Sequence, residues 1–182
     1  MSNNSTTLSI IIPVYNEEKT IIESITRVIN SNIKAYKEIV IINDGSTDRT
    51  KGVITNWLSS LKPSPKYKLI FRSKKNEGKG SAVRLGIKNS TGDIVIIQDA
   101  DLEYDPNDYQ QCIQPIIEGK CKVVYGSREL NNKNRTYSYF SFYLGGLTLT
   151  YWINLLYGAD LTDEPTCYKT FDGQIIRSIL FK

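Results

Sequence analysis

The amino-acid sequence predicts a doubly wound α/β fold, a mostly parallel sheet with helices on both faces. Three observations carry this reading. The apolar runs are short, rich in Ile and Val, and continuous rather than alternating, as strands buried on both faces require. Helical patterns separate them, so successive strands pair in parallel through crossover helices. The chain has 182 residues, 40% of them hydrophobic, which supplies one domain with a sizeable core and excludes disorder as its main state.

The elements follow in order. Leu8–Val14 reads as a buried strand, and a helix runs from about Glu17 to Asn30 with Ile21, Ile22, Ile25, Val28 and Ile29 on one face. Glu38–Ile42 is the second strand, and a helix begins near Thr47. The breaker Pro63-Ser64-Pro65 precedes the third strand, Tyr67–Phe71. A helix over Gly80–Asn89 leads into Asp93–Gln98, the most strand-like run of all. A helix near Asn107–Glu118 precedes the strand Lys122–Tyr125, expected next in line after the Asp93–Gln98 strand. An apolar helix with Ile175, Ile176, Ile179 and Leu180 follows near the end.

Composition narrows the chemistry. The chain has no histidine, which removes Ser-His-Asp and Cys-His catalysis, His metal sites and His acid–base chemistry. Lys and Arg total 23 against 19 Asp and Glu, without a clustered basic arm, so nucleic acid is not an expected partner. Cys112, Cys121 and Cys167 are odd in number and lack C-x-x-C spacing, which favours a reducing, cytoplasmic compartment. Met1–Thr7 is polar, so no signal peptide is expected.

In doubly wound sheets ligands bind beyond the carboxyl ends of the strands. The first strand is followed by Pro13-Val14-Tyr15-Asn16-Glu17-Glu18 and a helix start, which favours a nearby anion. The second is followed by Asn43-Asp44-Gly45-Ser46-Thr47-Asp48, where Asp44 at a strand tip can accept ribose hydroxyls. After the third comes Lys74-Lys75-Asn76-Glu77-Gly78-Lys79-Gly80, a Gly-Lys-rich loop opening a helix, similar to a phosphate cradle but without P-loop spacing. After the fourth comes Asp99-Ala100-Asp101-Leu102-Glu103. Three carboxylates in five residues repel one another unless a cation intervenes, and alternate positions of an extended segment point the same way. Asp99, Asp101 and Glu103 are therefore expected to converge on Mg²⁺ or Mn²⁺, with substrate phosphates completing the shell. Together the tips describe a nucleotide-diphosphate site.

Ile-Pro-x-Tyr-Asn-Glu, Asp-Gly-Ser-x-Asp, Gly-Lys-Gly, Thr-Gly-Asp and Asp-Ala-Asp-Leu-Glu, in this order, resemble the family 2 glycosyltransferases of the GT-A fold. Gly126-Ser127-Arg128 and Leu161-Thr162-Asp163…Thr166-Cys167-Tyr168-Lys169 look like its dolichol-phosphate mannose and dolichyl-phosphate glucose synthase branch. The resemblance covers about Leu8 to Phe181. It implies an inverting, metal-dependent transfer of a hexose from a UDP-glucose or GDP-mannose type donor to a polyprenyl phosphate. Residues 1–182 then form a single GT-A domain, with 8–126 as the nucleotide-sugar and metal half and 127–182 as the acceptor-side segment. Pro13, Tyr15, Glu17, Asp44, Lys79, Asp99 and Ala100 are implied in donor binding, and Asp99, Asp101 and Glu103 in metal binding. Arg128 is implied at the acceptor phosphate or the donor diphosphate, Lys169 at the acceptor, and Asp101, Arg128 and Asp163 in catalysis. Two departures stand out: Asn43 replaces the usual first acid before Asp44, and Phe171-Asp172-Gly173 replaces an Arg-rich segment after Tyr168-Lys169.

A lipid phosphate is already ionised and needs no strong base, which agrees with the missing histidine. A sugar-hydroxyl acceptor instead requires a carboxylate such as Asp163 or Glu164. That alternative stays open, as does a non-catalytic nucleotide-sugar-binding fragment. A nucleotidyltransferase is disfavoured, because no Gly-rich basic loop follows the first strand. From Thr136 to Ala159 run 24 uncharged residues with five tyrosines and Trp152. Their polarity and glycines argue against a membrane span. Peripheral contact at the cytoplasmic face of a membrane and an amphipathic helix pair packed on the sheet or at a homo-oligomer contact are equally compatible.

Overall fold

The protein is described by a computed structural model covering residues 6–128, 130 and 140–179. Its strands are β1 (Thr7–Val14), β2 (Tyr36–Asp44), β3 (Tyr67–Lys74), β4 (Ile94–Ile97), β5 (Val123–Tyr125) and β6 (Lys169–Asp172). The helices are α1 (Ile21–Asn30), α2 (Thr50–Ser60), α3 (Lys79–Asn89), α4 (Tyr109–Ile117), α5 (Phe140–Tyr157) and α6 (Gly173–Ser178). The sheet order is β3-β2-β1-β4-β6-β5. The first four strands in this order pair in parallel, as their continuous apolar runs require.

Side chains leave each strand on alternate faces, and the core divides accordingly. Leu8, Ile10, Ile12, Ile39, Ile41, Ile94 and Ile96 pack with Ile21, Ile25 and Val28 of α1, Ile54 of α2 and Ile113 of α4. Ile11, Val40, Ile42 and Val95 face the other way, onto Ala82 and Ile87 of α3 and Ile176 of α6. Both faces are thus covered, which is the doubly wound arrangement.

Three expectations are corrected. Lys122–Tyr125 does not lie beside the fourth strand. The unforeseen strand β6 enters between them, antiparallel to both β4 and β5. The residues Phe171-Asp172-Gly173 have a structural purpose there: the Asp172 carboxylate accepts from the Gln174 and Ile175 amides and caps α6. A Cβ on Gly173 would lie 2.3 Å from the Gly92 carbonyl, so only glycine fits. The first helix starts at Ile21 rather than Glu17, because residues 15–20 form a turn in which Asn16 has φ 57°. Finally, the uncharged stretch holds one continuous helix rather than a pair, with Gly145 and Gly146 inside it. Thr136–Tyr139 of that stretch and Leu180 lie outside the described residues.

The helix α5 is inverted relative to an ordinary surface helix. Its protein-facing positions are polar: Thr150 Oγ1 accepts from the Glu164 amide at 3.0 Å, and Asn154 exchanges two hydrogen bonds with the Leu161 backbone. Leu144, Leu147, Leu149, Tyr151, Trp152, Leu155, Leu156 and Tyr157 are exposed. No helix among the described residues is long and apolar enough to cross a membrane.

At the end of the sheet opposite the strand tips, Glu38 is buried yet fully partnered. Ser9 Oγ and the Thr91 amide each donate to it at 2.6 Å, Thr91 Oγ1 at 2.8 Å and Lys68 Nζ at 3.3 Å. Burial alone would raise this carboxyl, but the donors outweigh it and hold it below the ordinary value of 4.5. The associated stability is therefore complete above that value and is lost as pH falls through the depressed one. Glu38→Ala strands four donors and is expected to cost about 3 kcal/mol in urea unfolding at neutral pH. Its deficit should shrink on acidification, because the wild type loses the same contribution.

Candidate active site

Three loops meet at the carboxyl ends of β1, β2 and β3, and their hydrogen bonds explain the sequence there. Asn16 Oδ1 accepts from the Thr47 amide at 2.8 Å, while Ser46 Oγ accepts from the Asn16 amide at 3.0 Å. The Glu17 amide donates to Thr50 Oγ1 at 2.8 Å, so the turn after β1 is stitched to the loop after β2. Asn43, which replaces the usual first acid, accepts from the Ser46 amide and hydroxyl and donates to Ser73 Oγ. Gly45 has φ +67°, and a Cβ there would lie 2.5 Å from the Asn76 nitrogen. Glycine thus lets the third loop close over the second.

Asp44 is the centre of this closure. Lys74 Nζ donates to it at 2.8 Å, the Glu77 amide at 3.2 Å and the Gly78 amide at 2.8 Å. Burial raises its carboxyl and these donors lower it further, so the net direction is down. Its expected contact with ribose is joined by a second duty, holding the loop that opens α3.

The loops enclose a cavity of about 440 Å³ lined by Pro13, Val14, Tyr15, Glu17, Asp44, Asn76, Gly78, Lys79, Ala82, Asp99, Ala100 and Asp101. All seven residues expected at the donor line it, and the size suits a small-molecule ligand. Val14, Asn76, Gly78 and Ala82 were not singled out in the sequence. Gly78 and Asn76 had a legible signal, lying in the same Gly-Lys loop as Lys79. Pro13 is tolerated in a central strand because the β4 ladder ends at the Ile11–Ile97 pair, before its missing N–H matters. Lys79 Nζ lies 2.6 Å from Asp99 Oδ1. Burial lowers this ammonium's pKa, but the carboxylate outweighs it and raises the pKa overall.

The three acids do not converge, and that expectation is corrected. The strand stops at Ile97, so the alternation of an extended chain does not reach residues 99–103. Leu102 adopts φ 69°, and the Glu103 amide donates to Asp101 Oδ1 at 3.1 Å. This turn leaves Asp99 and Asp101 on the cavity and places Glu103 in a separate groove with Ile22, Arg27 and Tyr104. Among the described residues no three acidic or thiol groups are grouped to hold a metal ion. The two remaining carboxylates fit a hard divalent cation whose shell is completed by phosphate oxygens, since magnesium is commonly held by one or two carboxylates.

Neither Arg128, Lys169 nor Asp163 is among the cavity's lining residues. The Arg128 amide, Nε and Nη2 donate to the Asp163 carboxylate at 3.0, 2.8 and 2.9 Å. Burial raises the Asp163 carboxyl, but these bonds dominate and hold it below the ordinary aspartate range. Lys169 Nζ pairs with Glu164 at 3.1 Å and lies 5.2 Å from the centre of the Tyr125 ring. The segment leading into β6 reaches back to the acidic turn. Cys167 Sγ accepts from the Asp99 amide at 3.1 Å, and Tyr168 Oη donates to buried Gln98 at 3.0 Å. No local signal marks these contacts, which join residues 68 and 70 apart in the chain.

This sheet order, with a cavity of carboxylates, Lys79 and an aromatic ring at its strand tips, defines a GT-A glycosyltransferase fold. The chain belongs to Glycosyl transferase family 2, which matches residues 9–173. It is 35% identical over 122 residues to a dolichol-phosphate mannosyltransferase of Pyrococcus furiosus, covering 66% of this chain and 33% of that protein. It is 30% identical over 179 residues to a UDP-N-acetylglucosamine–dolichyl-phosphate N-acetylglucosaminyltransferase of Methanococcus voltae, covering 92% and 70%. Among solved structures it resembles glucosyl-3-phosphoglycerate synthase of Mycobacterium tuberculosis in complex with Mn²⁺, UDP and phosphoglyceric acid. That match has a TM-score of 0.67 at 19% identity and covers 93% of this chain and 57% of the other. The chain thus spans a third to 70% of the length of these relatives.

Proposed function

We propose that the chain forms the catalytic domain of an inverting, metal-dependent hexosyltransferase that acts on a nucleoside-diphosphate sugar and a polyprenyl phosphate. The observation that carries this reading is one cavity that gathers Tyr15, Asp44, Lys79, Asp99 and Asp101 from four strand tips. Two relatives named for dolichyl phosphate support the acceptor class. UDP is favoured as the nucleotide, since it is named in one relative and present in the solved neighbour.

Tyr15 and Asp44 take the base and ribose, and the diphosphate lies along the amino end of α3, where amides and Lys79 face it. Asp99 and Asp101 would hold Mg²⁺ or Mn²⁺, which neutralises charge on the leaving diphosphate. The acceptor's ionised oxygen attacks the anomeric carbon directly and inverts it, so the protein contributes positioning and charge stabilisation. Arg128 and Lys169 serve the acceptor side. A sugar-hydroxyl acceptor is disfavoured by their pairing, because both candidate bases, Asp163 and Glu164, are held in ion pairs. The outward Leu, Tyr and Trp residues of α5 rest on the cytoplasmic face of a membrane, where a prenyl chain is available.

The test combines turnover and sedimentation. UDP-glucose, Mn²⁺ and anionic vesicles with or without a short polyprenyl phosphate should give UDP release that depends on the lipid phosphate. The protein should sediment with the vesicles, and the Leu155→Glu/Leu156→Glu variant should stay in the supernatant. Equal UDP release with a soluble sugar hydroxyl as acceptor would overturn the acceptor assignment.

A further inference from the structure

The Lys79–Asp99 contact governs when a metal ion can reach the acidic turn, an inference that rests on the donor-site reading above. Asp99 is held in place from two sides: its amide donates to Cys167 Sγ at 3.1 Å, and its carbonyl accepts from Gln98 Nε2 at 2.9 Å. Its backbone is therefore anchored, and its side chain is only 21% exposed. Lys79 differs. It is the first residue of α3, its side chain is 60% exposed, and its four-carbon stem lets the ammonium leave without disturbing the helix. The ammonium is the more exposed partner of the pair, so on leaving Asp99 it gains water rather than an apolar environment.

A divalent ion and the Lys79 ammonium compete for the same Asp99 carboxylate. Adding the ion alone places two cations against that carboxylate, with only Asp101 beside it in the acidic turn. A diphosphate resolves the conflict by offering the ammonium another anion within the same cavity. We propose that Lys79 is a built-in competitor for the metal position and makes metal binding conditional on a nucleoside diphosphate. In the presence of the nucleotide, the ammonium moves from Asp99 to the phosphate oxygens and leaves the carboxylate to the metal. By linkage, metal and nucleotide then promote each other's binding, and Lys79 supplies part of that coupling. The device prevents the site from filling with an ion that has no donor to activate.

The experiment measures Mn²⁺ binding by the paramagnetic resonance of free Mn²⁺, in the absence and presence of UDP. It compares the wild-type chain with Lys79→Met and Lys79→Gln, two neutral variants whose folding is checked by thermal melting. In the wild type, UDP should tighten Mn²⁺ binding strongly. In either variant, Mn²⁺ without UDP should bind about fivefold or more tightly than in the wild type. UDP itself should bind more weakly, so the tightening by UDP shrinks. Unchanged Mn²⁺ affinity without UDP in both variants would overturn the proposal while leaving the donor site intact. Failure of every protein to bind Mn²⁺ even with UDP would remove the metal reading and this proposal with it.

Discussion

Asp101→Asn is expected to lower turnover by on the order of a hundredfold or more, with no comparable loss of stability. Asp101 is exposed at the mouth of the cavity, and its Oδ1 accepts from the Glu103 amide at 3.1 Å. Asparagine keeps an oxygen for that bond, so the turn survives, and the stability change should stay within about 0.5 kcal/mol. What is lost is one of the two carboxylates that the acidic turn brings to the cavity. Excess chelator should reproduce the effect in the wild type. Glu103→Gln supplies the contrast, since Glu103 lies in the neighbouring groove. Its turnover should fall much less than that of Asp101→Asn, as measured by nucleoside diphosphate release at saturating donor. Equal losses in the two variants would restore the three-acid cluster that the alternation of residues suggested.

That contrast marks where sequence reasoning stops. The parallel half of the sheet is legible because β1, β2 and β4 are short runs of Ile and Val, a pattern that only strands covered on both sides can sustain. The cavity at the strand tips is legible because doubly wound sheets place ligands there, so the residues after each strand nominate themselves. The direction of Glu103 is not legible. It depends on a left-handed backbone at Leu102, which no propensity of leucine suggests. The strand β6 escapes detection because Lys169-Thr170-Phe171-Asp172 is four residues with a charge at each end, and its partners lie far away in the chain. The double duty of Asp44 depends on bonds to residues 30 to 34 positions away. The orientation of α5 is likewise hidden, because its few polar residues, among them Thr148, Thr150 and Asn154, are scattered among apolar ones and leave no apolar stripe from which a buried face can be read.

Breaking the Arg128–Asp163 pair is expected to separate the acceptor function from donor binding. The Asp163 side chain is buried, whereas Arg128 keeps 28% of its surface, so the pair is anchored on its acidic side and reachable on its basic side. Asp163→Ala removes the acceptor of three hydrogen bonds from Arg128, at a cost of about 2–3 kcal/mol. In a chain of this size that corresponds to a melting temperature lower by roughly 5–10 °C. The wild-type contribution is complete above the ordinary aspartate value of 3.8 and disappears as pH falls through the depressed one. Asp163→Asn should therefore flatten the acid side of the stability profile. Arg128→Lys is the sharper probe of function. Lysine keeps the charge and the backbone bond to Asp163 but loses the planar fork that holds Asp163 and can grip a phosphate bidentately. Transfer to a polyprenyl phosphate should fall by about tenfold or more, the scale of one charge-assisted hydrogen bond. UDP affinity should stay at the wild-type level, because neither residue lines the donor cavity. A parallel loss of UDP affinity in Arg128→Lys would place this guanidinium at the donor diphosphate instead of the acceptor.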